Sequence, residues 1–206
     1  MLNKDLIVID DFYDNPFGMR NLALQSEYLA FLNSNIPGYE SKNSYFNNYY
    51  AEKFSKLINN KIDINPNKLS YGKFRYSLAE SKSLSSMHLD KAEWSAIVYL
   101  TLDMDCKGGL GVYKHKETGL SKVPDNFEEL NKIGYSSIAD LDRKIVHPAT
   151  NMFDKWELIE HIPMKFNRLV LLRGSKYFHS VTEKFGESIV NGRLSHNFFF
   201  NEAETD

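Results

Sequence analysis

The chain has 206 residues, of which 42% are hydrophobic and 25% are charged, and its formal net charge is −2. This length predicts a single domain with one sizeable core, and the absence of a basic run argues against nucleic-acid binding. The longest apolar runs are too short to cross a bilayer. The N-terminus shows no apolar signal region, and the one cysteine, Cys106, cannot form an internal disulfide. We therefore expect a cytoplasmic protein that does not act in a membrane.

The N-terminal part of the chain predicts one strand and two helices. Residues 6–9 form a short apolar run that is typical of a strand. Asn15 followed by Pro16 predicts a helix start, with Asn15 as the N-cap, and this helix is expected to run to about residue 32. Residues 36–39 predict a loop. Residues 51–58 predict a second helix, with Phe54 and Leu57 on one side.

From residue 71 onward, short apolar or alternating runs are separated by Gly, Asn and Ser, which is typical of a sandwich or barrel. The strand-like pattern of residues is then absent between residues 116 and 162, which predicts an insertion. Asp125 with Glu128 predicts a capped short helix that runs through Leu130, and residues 136–144 predict another. An insertion of this length is either a functional lid or a surface excursion. The predicted strands are 73–79, 87–90, 94–102, 110–115, 168–172, 177–181 and 193–200.

His88 and Asp90 are the first candidate metal ligands. Side chains at i and i+2 of a strand point to the same face, so an imidazole and a carboxylate would reach one point. Two histidines and one carboxylate leave the remaining positions of an iron open to a cosubstrate and O₂. Alone, a His-x-Asp pair is also compatible with an ordinary surface pair.

A third ligand requires a histidine on a later strand. His179 is favoured because an apolar strand runs into a Gly-Ser turn before the segment that carries it. His147 precedes Pro148 and is expected in an extended loop. His196 has the opposite strand parity from Arg193. His115 and His161 flank the insertion and remain open alternatives.

Arg193 is the candidate anion anchor. Period-2 alternation puts Arg193, Ser195 and Asn197 on one face of a strand. A guanidinium inside a β-fold is costly unless it meets an anion, and its planar fork matches a carboxylate. The alternative is a structural ion pair with an Asp or Glu. Arg168 and Arg173 are rival anchors, and Arg75 with Tyr76 could reach a substrate, although an edge-strand role is favoured for them.

Three stretches in order carry a resemblance to a known family. His88-Leu89-Asp90 precedes a strand that ends in Tyr99-Leu100-Thr101, Gly108-Gly109 opens the next strand, and residues 167–181 are followed by Arg193-Leu194-Ser195. The chain resembles the Fe(II)- and 2-oxoglutarate-dependent oxygenases, particularly the prolyl-hydroxylase-like branch. From about residue 7 to residue 200 it is also similar to a functionally uncharacterised group of bacterial and phage proteins placed in that superfamily. Thr101 departs from the usual Asn, and Leu110-Gly111 departs from the commoner Glu-Thr.

The resemblance implies a mainly β (α+β) fold. This is a double-stranded β-helix of the jelly-roll or cupin-like kind, with N-terminal helices packed on it and a helical insertion at about 116–162, all within a single domain over 1–206. It implies that His88, Asp90 and His179 hold iron and that Arg193 pairs with the distal carboxylate of 2-oxoglutarate. Tyr99 would hydrogen-bond the same carboxylate, with Ser195 assisting.

The implied function is a dioxygenase that uses Fe(II), O₂ and 2-oxoglutarate, with ascorbate as a supporting reductant. It would hydroxylate a small-molecule or peptidyl substrate and release succinate and CO₂. A peptidyl proline, a free amino acid, a carrier-bound amino acid and another small metabolite all stay open as substrates, as does the oligomeric state. Two alternatives are a non-catalytic binding module on a cupin-like β-helix and a zinc or manganese enzyme for hydrolysis or isomerisation.

Overall fold

A computed structural model describes residues 4–31 and 38–204, and antiparallel β-strands dominate this part of the chain. The strands are β1 Leu6–Ile9, β2 Tyr28–Ala30, β3 Tyr39–Ser41, β4 Ile62–Asp63, β5 Tyr71–Ser77, β6 Trp94–Tyr99, β7 Gly109–His115, β8 Trp156–Pro163, β9 Leu169–Leu172, β10 Phe178–Val181 and β11 Arg193–Glu202. The larger sheet has the order β1-β9-β6-β11-β5-β3-β2, with β4 also pairing with β11, and the smaller sheet has the order β10-β7-β8. The prediction of a mainly β fold is therefore confirmed.

Helical segments cover the outer sides of both sheets. The helices are α1 Pro16–Gln25, α2 Asn48–Ile58, α3 Phe127–Lys132, α4 Ile138–Leu141 and α5 His147–Ala149, with a π-helical turn at Asp142–Val146 and a 3₁₀ turn at Phe153–Lys155. None of the helices within the described ranges has the length and apolar character that a membrane crossing needs.

Strand alternation divides the core into an inner layer between the two sheets and an outer layer on the opposite face of each sheet. Tyr99, Val170 and Leu172 of the larger sheet pack with Leu110 and Val112 of the smaller sheet, so these faces meet. The opposite face of the larger sheet is covered by α1 and α2 through a cluster rich in aromatic residues. The insertion packs on the other side of the smaller sheet through Tyr113, Trp156, Phe178, Leu130, Leu141 and Ile145.

Helix α1 begins where the sequence predicts and ends earlier. Asn15 Oδ1 accepts a hydrogen bond of 2.9 Å from Gly18 N, and Pro16 opens the helix. The prediction that the helix continues to residue 32 is wrong, because Ser26 is extended and residues 28–30 pair with β3. The loop predicted at 36–39 falls partly outside the described residues, and Tyr39 begins β3.

Helix α2 confirms the second predicted helix, with an earlier start. Asn47 Oδ1 accepts from Tyr50 N, so the helix begins at Asn48 instead of residue 51. It ends at Ile58, where Asn59 takes the left-handed conformation. Phe54 is fully buried against the larger sheet, as its position on the apolar side predicts.

The insertion differs from the prediction in its extent. Strand β8 lies inside it and pairs along β7, so only residues 116–155 leave the sheet. The five residues from Glu157 to His161 are exposed, and a bulge in the pairing with β7 interrupts the alternation of apolar residues, so periodicity does not reveal this strand. The cap of α3 is Asn126 with Glu129, one residue later than the predicted pair of Asp125 and Glu128.

Two further backbone predictions are wrong. His147 is helical, with φ −58° and ψ −45°, because it continues the π-helical turn into α5 and so overrides the extended preference before proline. Residues 87–90 do not form a regular strand. Their sheet-like contact is an isolated antiparallel bridge between His88 and His179.

His196 is buried on the outer face of β11, opposite to the face that carries Arg193, as strand alternation predicts. Its ring centroid is 4.4 Å from that of Phe74 and 4.3 Å from that of Phe198, and its Nδ1 is 2.8 Å from the Tyr13 hydroxyl. Burial lowers the pKa of His196 from 6.5 to about 3, because an imidazolium there would lose its hydration.

This shift predicts an acid-dependent loss of stability. Because the folded pKa lies below the unfolded value, the stabilisation is present above pH 6.5 and is lost as the pH falls towards about 3. The free energy of unfolding should fall by about 1.4 kcal/mol for each pH unit within this window. Urea unfolding of His196→Phe, which cannot titrate there, should show a flatter pH profile. Equal slopes in both proteins would refute this assignment.

Candidate metal centre

His88, Asp90 and His179 meet between the facing sheets. Each side chain offers a ligand atom, and these atoms all lie within 4.8 Å of one another. His179 lies on β10, and the bridge from His88 makes hydrogen bonds of 3.2 and 3.1 Å with its backbone. Asp90 N donates to Gly174 O at 3.0 Å, which fixes the carboxylate beside the two rings. The three predicted ligands therefore converge on one point.

Backbone carbonyls orient both imidazole rings. His88 Nδ1 is 2.8 Å from Ser86 O, and His179 Nδ1 is 2.8 Å from Tyr177 O. A carbonyl oxygen only accepts, so each Nδ1 carries a proton, and Nε2 is the atom of each ring that could bind a metal. These Nε2 atoms lie 3.5 Å and 3.2 Å from the two oxygens of Asp90. The two Nε2 atoms and the carboxylate thus face the same space.

The site combines one buried anion with two nitrogen donors. The side chains of Asp90 and His179 are 13% and 6% exposed, whereas that of His88 is 40% exposed. Burial alone would raise the pKa of Asp90, but the neighbouring His179 and His88 outweigh it and hold this pKa well below the usual range. Burial opposes protonation of His88, and Asp90 with the Ser86 carbonyl overcomes it and raises the pKa of His88. The carboxylate is therefore ionised and favours a cation.

Two residues that the sequence did not single out support Asp90. Ser95 Oγ, on β6, donates a hydrogen bond to Asp90 Oδ2. Gly174 lies so close that an added Cβ would overlap both Asp90 Oδ2 and Ser95 Oγ. The sequence predicted a turn at Gly174 and Ser175, but it carried no signal that Asp90 packs against this turn.

Gly174→Ala is expected to weaken metal binding by about 10- to 100-fold, the range typical of changes around metal ligands. The new methyl group must displace the Asp90 carboxylate from the two Nε2 atoms. Isothermal titration with Mn(II) measures the change, and thermal unfolding of the metal-free protein checks that the fold is retained. A folded variant with unchanged affinity would refute the role assigned to this close contact.

Arg193 and Tyr99 form a second polar group on the inner face of the larger sheet. Ser195 pairs with Tyr99 across β11 and β6, and Arg193 lies two residues before Ser195 on the same face. The Arg193 guanidinium carbon is 5.4 Å from the Tyr99 ring centroid. Among the described residues, neither Arg193 Nε nor the Tyr99 hydroxyl, both buried, has a hydrogen-bond partner. Two unpartnered buried donors suit an oxyanion, because leaving them unpaired is costly.

Tyr99 is a neutral donor in this pair. Burial raises the pKa of its phenol, and the charge of Arg193 opposes that rise without reversing it. Ser195 is fully buried, and its Oγ accepts a hydrogen bond of 3.0 Å from Asn197 Nδ2. Its part in anion binding stays a prediction.

The rival candidates lie elsewhere. His115 packs against Trp156 on the insertion side of the smaller sheet, and His147 is exposed. His161 contacts Thr182 on the surface. Arg168 pairs with Asp10 at 2.6 Å and Arg173 pairs with Glu202 at 3.0 Å, so both have protein carboxylates. In residues 4–31 and 38–204, the group of His88, Asp90 and His179 is the one such metal-ligand cluster found.

Arg75 was expected on an edge strand, and this expectation is wrong. Strand β5 lies between β11 and β3, where Arg75 is paired with Ser195 on one side and with Glu40 on the other. Tyr76 points to the opposite face and stacks on Tyr39 at 4.4 Å. Arg75 therefore shares the inner face with Ser195.

A model of the family of unknown function DUF6445 matches residues 2–200. None of the curated proteins matches the chain at a significant level. Among solved structures, the crystal structure of IDO from Bacillus thuringiensis is similar, with 14% identity over 98% of this chain and 95% of that chain. Its TM-score of 0.47 is too low to support an argument about function. Since the family model spans nearly the whole sequence, the chain belongs to DUF6445, a family of unknown function.

Proposed function

We propose that this protein is an Fe(II)- and 2-oxoglutarate-dependent dioxygenase that hydroxylates its substrate. The observation that carries the proposal is the placement of His88, Asp90 and His179 near a face that also holds Arg193 and Tyr99 with unpartnered donors. Either group alone has a plain structural explanation. Together they supply a metal site and an anion site within one layer of the fold.

The three side chains suit iron by number and chemistry. Two imidazoles and one carboxylate on one side of a metal leave other positions open, which is the ligand set of non-haem Fe(II) oxygenases. A structural zinc site is normally closed by four ligands that include thiolates. Cys106 lies outside this cluster, so no thiolate joins it.

Arg193 and Tyr99 would hold the distal carboxylate of 2-oxoglutarate. The guanidinium offers charge and the protonated phenol offers a neutral donor, and the Nε of the first and the hydroxyl of the second are withdrawn from water. Iron with this cosubstrate and O₂ supplies the oxidation that converts 2-oxoglutarate and a C–H bond into succinate, CO₂ and an alcohol. The protein holds the ligands, fixes the cosubstrate and shields the site.

The path of the chain supports a jelly-roll or double-stranded β-helix. From β5 the chain passes to the His88 bridge on the smaller sheet, back to β6, then to β7 and β8. It returns through β9 to the larger sheet, through β10 to the smaller, and through β11 to the larger. This winding brings residues distant in sequence to the space between the sheets, as in double-sheet jelly rolls.

Succinate formation tests the proposal. Purified protein with Fe(II), ascorbate, 2-oxoglutarate and O₂ is expected to release succinate, at least slowly in uncoupled turnover without substrate. His147→Ala, which changes an exposed histidine outside the cluster, should behave as the wild type, and Asp90→Ala should be inactive. Binding of Fe(II) and 2-oxoglutarate with no succinate under any condition would favour the non-catalytic module instead.

A further inference from the structure

An ion pair between Arg75 and Glu40 lies on the inner face of the larger sheet. Arg75 Nε and Nη2 each lie 2.7 Å from Glu40 Oε2, and the Ser70 hydroxyl lies 3.0 Å from both partners. The two side chains are 17% and 13% exposed. This pair is thus largely withdrawn from water and held in one geometry.

The Arg75 guanidinium lies over Phe199, on the inner face that also carries Ser95. Its central carbon lies 4.9 Å from the ring centroid of Phe199, which belongs to the inner-face residues of β11. Phe199 is paired with Ser95 across β11 and β6, and Ser95 donates to Asp90. On the inner face, β11 with Phe199 therefore lies between β5, which carries Arg75, and β6, which carries Ser95, and Arg193 and Tyr99 lie farther along the same face.

The ion pair leaves one nitrogen of Arg75 and one oxygen of Glu40 available to bind a ligand. Its hydrogen bonds converge on Glu40 Oε2, and among the described residues Arg75 Nη1 and Glu40 Oε1 have no partner. A lone arginine would select an anion. Arg75 with Glu40 is neutral as a unit, so a purely anionic ligand would be repelled by Glu40 and a purely cationic ligand by Arg75.

We propose that Arg75 and Glu40 bind the carboxylate and the ammonium group of a free α-amino acid, which is the substrate. This inference rests on the proposed oxygenase function and assigns its substrate class. The carboxylate would accept from Arg75 Nη1 and the ammonium would donate to Glu40 Oε1. Phe199 would form an apolar floor that leads to the metal centre, so the amino-acid side chain is directed to the site of oxidation.

Calorimetric titration with the proteinogenic amino acids tests the assignment, using both metal-free protein and protein loaded with Mn(II) and 2-oxoglutarate. At least one amino acid should bind. Its N-acetyl form lacks the ammonium charge and its methyl ester lacks the carboxylate charge, so each should bind at least tenfold more weakly. Glu40→Gln and Arg75→Lys should weaken binding of the free amino acid to a similar degree. Glu27→Gln, in the exposed Lys42 pair, is the matched control and should change nothing.

Binding of the free amino acid, its N-acetyl form and its methyl ester to the wild-type protein tests the proposal even if a variant fails to fold. In a folded Glu40→Gln, the N-acetyl form and the free amino acid should bind equally, because the group that distinguishes them is gone. Equal binding of all three forms to the wild type would overturn the proposal. Absence of amino-acid binding while Mn(II) and 2-oxoglutarate bind would overturn it too, and would leave the oxygenase function standing. Absence of Mn(II) binding would reject the oxygenase function on its own.

Discussion

Alanine at any of the three proposed ligands is expected to weaken Mn(II) or Fe(II) binding by at least about 100-fold. Changes to residues that merely support metal ligands typically cost 10- to 100-fold, and removal of a ligand should cost at least as much. Asp90→Ala should have the largest effect, because it removes the one anion among the three side chains and leaves two neutral rings. Anaerobic calorimetry and metal analysis of the purified variants measure these losses.

The control for the triad is His147→Ala. This histidine is exposed at the start of α5, so its removal should leave metal affinity unchanged. His161→Ala, on the surface of β8, serves as a second control. If the controls lost as much affinity as the triad variants, the metal would be bound elsewhere, and retained affinity in Asp90→Ala would lead to the same conclusion.

Arg193→Met is expected to separate ligand binding from stability. Loss of a charged hydrogen-bond donor costs about 1.5–3 kcal/mol, which corresponds to an increase of roughly 10- to 150-fold in the Kd for 2-oxoglutarate. The ligand-free variant should be as stable as the wild type or more stable, because methionine removes a buried donor that has no protein partner in the described structure. Calorimetry with 2-oxoglutarate on Mn(II)-loaded protein and urea unfolding give the two values.

An arginine with a purely structural role should show the opposite result on substitution: lower stability and unchanged binding of 2-oxoglutarate. Arg168→Met is the matched case, since Arg168 pairs with Asp10 and should affect stability slightly and 2-oxoglutarate binding not at all. Tyr99→Phe should raise the Kd for 2-oxoglutarate by a smaller factor, about 2- to 10-fold, as expected for a neutral hydrogen bond. A destabilised Arg193→Met with an unchanged Kd would show that the anion site is misassigned.

The metal-ligand group was predictable from local spacing and the order of the strands. The i, i+2 rule placed His88 and Asp90 together even though residues 87–90 form a single bridge instead of a strand. His179 was favoured because a strand and a turn precede it, and its bridge to His88 brings the rings to 4.4 Å. Strand alternation also predicted that His196 and Arg193 lie on opposite faces of the sheet, since alternate side chains point to opposite faces wherever the strand is regular.

The supporting contacts were not predictable, because they join residues far apart in sequence. Gly174 approaches Asp90 across 84 positions, and Glu40 reaches Arg75 from β3, a strand for which the sequence predicted only a loop ending at Tyr39. Strand β8 escaped detection because a bulge in its pairing with β7 breaks the alternation of its apolar residues, Trp156, Leu158, Ile159 and Ile162. Helix α1 ended early because pairing between residues 28–30 and β3 prevailed over helical periodicity.

A crystal grown anaerobically with Fe(II) and 2-oxoglutarate tests the metal site and the anion site together, through the anomalous signal of iron. We expect an iron peak between the Nε2 atoms of His88 and His179 and the carboxylate of Asp90, with the distal carboxylate of 2-oxoglutarate on Arg193 and Tyr99. A peak at another site, or Arg193 paired with a protein carboxylate and no 2-oxoglutarate beside it, would refute the proposed oxygenase site.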